Sequence, residues 1–383
     1  MAVKSLDEID KEYIAQALKL AKNGLYTAAP NPCVGCIIVK DNEVLGSGFH
    51  IKAGTPHAEV WAIRNSGGRD LTDATAYVTL EPCSHFGLTP PCAKALVEAK
   101  VKRVVCAMVD PNPLVAGKGI KILEDAGIEV KVGVLENEAQ ELNKSFLYAM
   151  KHNLPYVTVK YGMSLDGKVA MKSGESKWIT STDSRKDVQR LRLLNQAILT
   201  SATTVLADNP SLNVRYDELP RDVMEACPRD LLRQPLKVVV DSKARVTDYN
   251  LNIFKTGSKV ILVRLSEDND VYTTDVNENI SIMYIPSNAE NANHIDMKLL
   301  LSELHKLKIR GVLVEAGGTF VGNLFKQNLV NEVITYIAPK VLGKDAMQAF
   351  AYSTEESLQD IKNMQLFSVE TINNDVKLIY RLN

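Results

Sequence analysis

Strand-sized apolar runs alternate with segments of helical period along this chain, and the alternation restarts once, after Asn153-Leu154-Pro155. That order confines the chain to layered α/β architectures, in which helices cover a largely parallel sheet. Before the break, Ser5 and Glu8 form an S-x-x-E capping box ahead of Ile14, Ala17, Leu18 and Ala21 at helical spacing, and Gly24 stops the helix. Val34–Lys40 and Val44–His50 read as strands joined at Asp41-Asn42, with a short helix from about His57 to Asn65 behind them. A strand at Ala76–Leu80, a helix at Cys92–Lys100, a strand at Arg103–Val109, a helix at Gly119–Ala126 and a strand at Ile128–Val134 follow. A last helix runs from Glu136 toward Lys151, and Pro155 biases the residue before it away from helix.

Beyond the break, strands are expected at Tyr156–Tyr161, Ala197–Thr200, Lys237–Asp241, Lys259–Val263, Ile280–Ile285, Gly311–Glu315 and Glu332–Ala338, with an alternating tail through Lys377–Tyr380. Helices are expected at Ser184–Leu194, Lys298–Leu307 and Phe320–Gln327, and the charged Tyr216–Gln234 stretch reads as a surface loop with a short helix. A chain of 383 residues is too long for one ordinary domain. Two are therefore expected, over residues 1–150 and 155–383.

The charge balance narrows the partners. With 45 Lys and Arg against 46 Asp and Glu, the net charge of -1 gives no electrostatic footprint for nucleic acid. Runs such as Val238–Val240 and Val260–Val263 are far shorter than the roughly 20 apolar residues of a membrane span, so no membrane partner is expected. The charged N-terminus MAVKSLDEIDKEY has no apolar core of a secretory signal, and six cysteines in so long a chain read as reduced thiols or metal ligands. Both features make the cytoplasm the expected compartment.

Chemistry concentrates in the first segment. His57-Ala58-Glu59, Glu81-Pro82-Cys83 at a strand end and Pro91-Cys92 at a helix start follow the order of the H-x-E…P-C-x-x-C deaminase signature, stretched here to C-x8-C. His57, Cys83 and Cys92 are three ligands for Zn2+, which leaves a tetrahedral ion one open position for water. The ion lowers the pKa of that water toward neutrality, and Glu59 is placed to take its proton and return it to a leaving amine. Helix N-termini near His57 and Cys92 favour the thiolate form. A purely structural zinc would want a fourth protein ligand, for which His85 is the nearby candidate, and would leave Glu59 without a task. Cys33-x-x-Cys36 reads as core packing more readily than as a redox or second metal pair, and Cys106 and Cys227 read as structural or incidental.

In the second segment Gly317-Gly318, between a strand and a helix, offers open backbone N–H groups for a phosphate, although a Gly-Gly pair is more often only a turn. Gly46-Ser47-Gly48 and Gly117-Lys118-Gly119 both lack the third glycine of a dinucleotide fingerprint, and no Walker A lysine motif is present.

The motifs Pro30-Asn31-Pro32-x-Val34-Gly35, His57-Ala58-Glu59, Thr79-Leu80-Glu81-Pro82-Cys83-Ser84-His85, Thr89-Pro90-Pro91-Cys92 and Asp110-Pro111-Asn112-Pro113 resemble the bifunctional riboflavin-biosynthesis deaminase/reductase family. Ser164-Leu165-Asp166-Gly167, Thr204-Val205-Leu206-Ala207-Asp208, Glu315-x-Gly317-Gly318 and Tyr336-Ile337-Ala338-Pro339-Lys340 carry the resemblance to the other end of the chain. It implies an N-terminal domain similar to cytidine deaminase and a C-terminal domain similar to dihydrofolate reductase, both α/β. The first would remove the 2-amino group of a diaminopyrimidine ribosyl phosphate, and the second would reduce the ribosyl group to ribityl with NADPH.

By the same resemblance Asn31 and His85 would contact the pyrimidine substrate. Gly162, Trp178, Thr204, Asp208 and the turn Gly317, Gly318, Thr319, Phe320, Val321, Gly322 and Asn323 would line NADPH. Lys160, Ser176, Arg192, Leu212, Arg215 and Glu315 would face the substrate, the two arginines pairing with its 5'-phosphate and Asp208 taking part in the reduction. Reductase domains of this kind commonly pair, so a homo-oligomer is expected. Two departures stand out: Ala29 where the family often has histidine, and a longer stretch at Tyr216–Gln234. A nucleoside or RNA-editing deaminase would instead predict a basic face and no NADPH consumption, and a zinc-stabilised scaffold would not need Glu59.

Overall fold

The computed structural model describes residues 4–84, 91–112, 116–288, 291–351, 357 and 361–382. Contacts divide the chain into two compact units, Met1–Asn153 with Glu225–Leu232, and Leu154–Met224 with Arg233–Asn383.

In the first unit α1 (Leu6–Ala21) precedes β1 (Gly35–Lys40), β2 (Glu43–Phe49), α2 (Ala58–Asn65), β3 (Thr75–Val78), α3 (Cys92–Glu98), β4 (Arg103–Cys106), α4 (Lys118–Asp125) and β5 (Glu129–Val132). The sheet runs β2-β1-β3-β4-β5, with β1 antiparallel to both neighbours and β3, β4 and β5 parallel. Ala58, Ala62, Ala93, Leu96 and Leu123 pack one face of it, and Ile14, Ala17, Leu18, Val134 and Ala139 the other. The result is a three-layer α/β/α sandwich. The Ser5–Glu8 capping box forms as its spacing predicts.

The single helix expected over Glu136–Lys151 is two, α5 (Glu136–Leu142) and α6 (Lys144–His152). Asn143 breaks it because its side chain is committed elsewhere: Oδ1 accepts from the Cys33 N–H at 2.7 Å, and Nδ2 donates to the Cys33 carbonyl at 3.0 Å. This pairing fixes the loop that carries Asn31.

The glycines of Gly46-Ser47-Gly48 serve helix packing. A Cβ on Gly46 would stand 2.1 Å from the Ala62 carbonyl oxygen, and one on Gly48 would stand 2.4 Å from Trp61 Cβ. Only glycine lets α2 lie this close to β2, and α2 carries Glu59.

The second unit begins with β6 (Tyr156–Ser164), β7 (Lys168–Ala170), α7 (Thr182–Leu194), β8 (Ala197–Ser201) and α8 (Ala202–Asp208). After α9 (Arg221–Ala226) come β9 (Leu236–Val240), β10 (Val260–Leu265), β11 (Tyr272–Asp275), β12 (Ile280–Ile285), β13 (Ser287–Asn288) and β14 (Asn291–Ile295). It ends with α10 (Met297–Lys306), β15 (Gly311–Val314), α11 (Gly318–Lys326), β16 (Glu332–Ala338), β17 (Met347–Gln348), β18 (Met364–Ile372) and β19 (Asp375–Leu382).

The main sheet has the order β11-β12-β10-β9-β8-β15-β6-β16-β19-β18. The strands from β12 to β16 are parallel, and β11, β19 and β18 extend the two edges antiparallel. Leu300, Leu304, Leu324 and Phe325 cover one face, while Val188, Leu191, Ala202 and Val205 cover the other. Among the described residues no helix is long and apolar enough to cross a membrane.

Candidate functional site

The C-terminal ends of β3 and β4 in the first unit deliver the loops that carry its chemistry. His57 is the N-cap of α2, Cys92 is the first residue of α3, and Cys83 follows β3. His57 Nδ1 lies 3.2 Å from Cys92 Sγ and 3.5 Å from Cys83 Sγ, and all three ligand atoms lie within 4.8 Å of one another. A tetrahedral zinc with arms of about 2.1 Å to nitrogen and 2.3 Å to sulfur has N···S edges of about 3.6 Å. The donor set and its spacing fit the ion, with Nδ1 as the imidazole donor.

The electrostatics agree. The hydrogen bond from Cys92, and then that with His57, lower the pKa of Cys83, while the same contact with Cys83 and burial raise that of Cys92. The backbone N–H of Cys92, in the first turn of α3, also donates to Cys83 Sγ at 3.3 Å. The hydrogen bond with Cys83 raises the pKa of His57.

Glu59 is 3 % exposed, and its Oε2 is buried with no hydrogen-bond partner among the described residues. Burial, followed by the charge of Cys83, pushes this carboxyl up to about 7. A buried carboxyl oxygen left unpaired costs free energy unless a bound group meets it.

Asn31 stands at the rim with its Nδ2 3.0 Å from His50 Nε2. Burial and then His57 push His50 down to about 4, so its ring is neutral near pH 7, and its Nδ1 lies 3.4 Å from the Pro56 carbonyl. That carbonyl only accepts, which assigns the proton to Nδ1 and makes Nε2 the acceptor for the Asn31 amide. Oδ1 of Asn31 is thereby the end turned away from His50. His85 lies outside the described residues. Cys33, Cys36 and Cys106 are buried, in agreement with the core-packing reading, and Cys227 is buried as well.

In the second unit Lys160, Arg192 and Glu315 come into direct contact. Arg192 donates from Nε and Nη2 to the two oxygens of Glu315 at 2.6 and 3.1 Å and from Nη1 to the Asn213 carbonyl at 3.0 Å. Lys160 Nζ stands 3.1 Å from Glu315 Oε2. The sequence expectation turned Arg192 and Arg215 toward a phosphate. Here Arg192 pairs with the buried carboxylate of Glu315, and Arg215 pairs with Glu218 at 2.6 Å. Burial opposes the charge of Glu315, but Arg192 and Lys160 hold it down at about 2.

Asp208 ends α8, and its carbonyl accepts from Lys177 Nζ at 3.4 Å. Lys177 precedes the exposed Trp178, over which Arg185 lies at 4.3 Å, and Ser176 is half-buried beside it. Thr204 donates its backbone N–H to Ser201 Oγ in the first turn of α8. Gly162 faces Thr180, whose Cγ2 would be 3.2 Å from an added Cβ. Leu212 is buried with φ 47.

Gly317 is the exposed N-cap of α11, and Gly318, Thr319 and Phe320 form its first turn. Gly318, Val321 and Gly322 are buried and Asn323 is half-buried, so within this stretch only Gly317 and Thr319 are exposed. Sequence reasoning passed over Glu81, His50 and Asn143, although Glu81 lies inside the quoted T-L-E-P-C-S-H run.

Residues 155–378 match the RibD C-terminal domain family, and residues 7–108 match the cytidine and deoxycytidylate deaminase zinc-binding region. The riboflavin biosynthesis protein RibD of Escherichia coli is 47 % identical over 369 residues, covering 96 % of this chain and 98 % of that protein.

The chain belongs to the RibD family.

A RibD of Haemophilus influenzae is likewise 47 % identical, with 97 % of both chains covered. Acinetobacter baumannii RibD superposes with a TM-score of 0.87 at 41 % identity over 98 % of this chain and 99 % of that one. A Thermotoga maritima diaminohydroxyphosphoribosylaminopyrimidine deaminase/5-amino-6-(5-phosphoribosylamino)uracil reductase gives 0.85 at 31 % identity over 99 % and 100 %. RibD likeness therefore spans both units.

Proposed function

We propose that the two units catalyse consecutive steps of riboflavin biosynthesis, hydrolytic deamination over residues 1–150 and reduction over residues 155–383. The observation that carries the first step is the unpaired, buried Oε2 of Glu59 beside the His57, Cys83 and Cys92 donor atoms. His57, Cys83 and Cys92 would hold Zn2+, which when bound supplies the electrophile that acidifies water. Glu59 takes the proton of that water and hands it to the departing 2-amino group of 2,5-diamino-6-(5-phosphoribosylamino)pyrimidin-4(3H)-one. A carboxyl beside that water can both accept and return a proton, and burial keeps Glu59 clear of bulk solvent there. Asn31 offers its Oδ1 as an acceptor to the ring, and His85 is assigned to the same substrate.

For the second step the open start of α11 from Gly317, together with Gly162, Trp178, Thr204 and Asp208, is assigned to NADPH, which when bound supplies the hydride. Lys160, Ser176, Arg192, Leu212, Arg215 and Glu315 are assigned to the ribosyl phosphate, with Lys160 and Arg192 both paired to Glu315. Asp208 is the polar group for ring opening. A homo-oligomer in the cytoplasm is the working form, with small-molecule substrates only.

The test is direct. The full chain is expected to release ammonia from the diaminopyrimidine phosphate. It is expected to oxidise NADPH when given the deaminated product. NADPH oxidation independent of that product, or ammonia release that survives complete zinc removal, would overturn the reading.

A further inference from the structure

Glu81 is 3 % exposed and sits in the loop after β3, two residues before Cys83. Its two carboxyl oxygens together receive four backbone N–H groups. Oε2 accepts from Asp110 at 3.2 Å and Gly117 at 2.9 Å, and Oε1 accepts from Gly119 at 2.9 Å and Ile120 at 3.3 Å. Three of these donors are the N-cap and first turn of α4, whose N-cap Gly117 has no side chain to satisfy them. The fourth belongs to the loop that leaves β4. Glu81 also donates its own N–H to the Met108 carbonyl at 3.0 Å.

The adjoining residue closes the clasp. A Cβ on Gly119 would stand 1.8 Å from the Pro82 carbonyl oxygen, so that carbonyl rests against helix backbone that only glycine exposes. Cys83, next in the chain, then meets α3 through its carbonyl, which accepts from the Ala93 N–H at 3.2 Å. Asp110 Oδ1 in turn accepts from the Asn112 N–H at 2.9 Å.

We propose that Glu81 is a positioning residue of the deaminase centre, clasping the start of α4 so that Cys83 and the 110–112 segment keep one fixed relation at the mouth of the site. The inference rests on reading His57, Cys83 and Cys92 as the zinc centre. It assigns Glu81 no contact with substrate. The chemistry of the clasp demands a carboxyl group: glutamine would keep one acceptor oxygen and turn an NH2 group toward two backbone N–H donors.

The experiment compares full-length E81Q, E81D and G119A with the parent. It measures zinc affinity by chelator competition, hydrogen exchange of peptides spanning 116–120, deaminase kcat and KM, and the reductase rate on the same chain. E81Q is expected to lose zinc affinity by on the order of 10-fold, the low end of what outer-shell changes cost, because Glu81 acts on Cys83 through the chain and not by direct contact. It is also expected to exchange faster at 116–120 and to lose deaminase kcat, with the reductase rate within about twofold of the parent. G119A, which pushes on the Pro82 carbonyl from the other side, is expected to show the same pattern, and E81D a partial recovery.

Zinc affinity and deaminase kcat within about twofold of the parent, together with faster exchange at 116–120, would overturn the proposal. If E81Q does not fold, E81D and G119A carry the comparison, and unchanged zinc affinity in both overturns it. A parent that binds no zinc would instead overturn the reading of the metal centre.

Discussion

Replacing Glu315 by glutamine is expected to destabilise the second unit by an amount that depends on pH in a calculable way. Burial raises the cost of charge on Glu315, yet Arg192 and Lys160 bring its pKa from 4.5 down to about 2 in the folded chain. At 1.36 kcal/mol per pH unit, a fall from 4.5 to 2 stabilises the folded state by about 3 kcal/mol at neutral pH. The group is buried, so solvent screening removes little of this. Because the folded pKa is depressed, the contribution is fully present above about pH 4.5 and is lost as pH falls toward about 2.

Removing the charge while leaving Arg192 and Lys160 in place adds a cost of its own, but that part has little dependence on acid pH. The assay is equilibrium urea unfolding of parent and E315Q at several pH values. A brief pulse of hydrogen exchange on peptides from β6 and β15 would report the second unit alone. Taking the difference between the two chains cancels the other carboxylates. The gap is expected to shrink by about 2 kcal/mol between pH 7 and pH 3. A gap that stays constant over that range would refute the argument that two cations hold Glu315 ionised.

Glu59→Gln is expected to lower deaminase kcat by on the order of 10²–10⁴ while leaving NADPH oxidation on the deaminated product within about twofold, measured as two separate assays on one preparation. Treatment with a strong zinc chelator is expected to abolish ammonia release, and readdition of zinc to restore it. In the first unit Asp10 is fully buried and accepts both Nη groups of Arg103 at 2.7 and 2.9 Å, so D10A leaves a buried guanidinium without that partner. It is expected to cost about 3–5 kcal/mol in urea unfolding monitored on peptides of β4. G48V forces a Cβ to within 2.4 Å of Trp61 Cβ, so it is expected to displace α2 and lower zinc affinity in chelator competition.

The periodic strands were the most legible elements. Ile280–Ile285 and Glu332–Ala338 lie where the apolar pattern puts them, because strands inside a covered sheet are rich in apolar and β-branched residues. The zinc donors were equally plain, since the chemistry demands particular residue types in a particular order. What the pattern missed depends on partners far away in sequence. Asn143 breaks a helix that its local periodicity would continue, because it pairs with Cys33, 110 positions earlier. Helix α8 follows β8 without a loop between them and is only seven residues long, too short to show a helical period of its own. In the second unit the polar residues were named from resemblance, and single-residue chemistry could not foresee that Arg192 and Glu315 meet each other. Their ion pair exists because α7 and the end of β15 approach in the fold.

Glu81 and Asp166 point to a shared construction principle in the two units. Parallel strands deliver catalytic loops at their C-terminal ends, where backbone N–H groups emerge unpaired and a loop can drift. In the first unit the loop after β3 supplies a carboxyl that gathers N–H groups from the loop after β4. In the second, the turn after β6 supplies Asp166, whose Oδ1 accepts from the Leu342 N–H at 3.0 Å and Oδ2 from the Gly343 N–H at 2.8 Å, both beyond the end of β16. The Ser164 hydroxyl first, and then these N–H groups, hold the Asp166 carboxyl down at about 2. In each case an acidic side chain fastens the loop of one strand to the loop of its parallel neighbour, β3 to β4 and β6 to β16. A carboxyl suits this task because it accepts several N–H groups and donates none. The acidic residues of the E-P-C and S-L-D-G motifs therefore have a structural task, fastening one loop to the next. Acidity inside a motif thus divides into two roles, separable by whether the carboxyl oxygens are filled by backbone N–H groups, as in Glu81 and Asp166, or left open, as Oε2 is in Glu59.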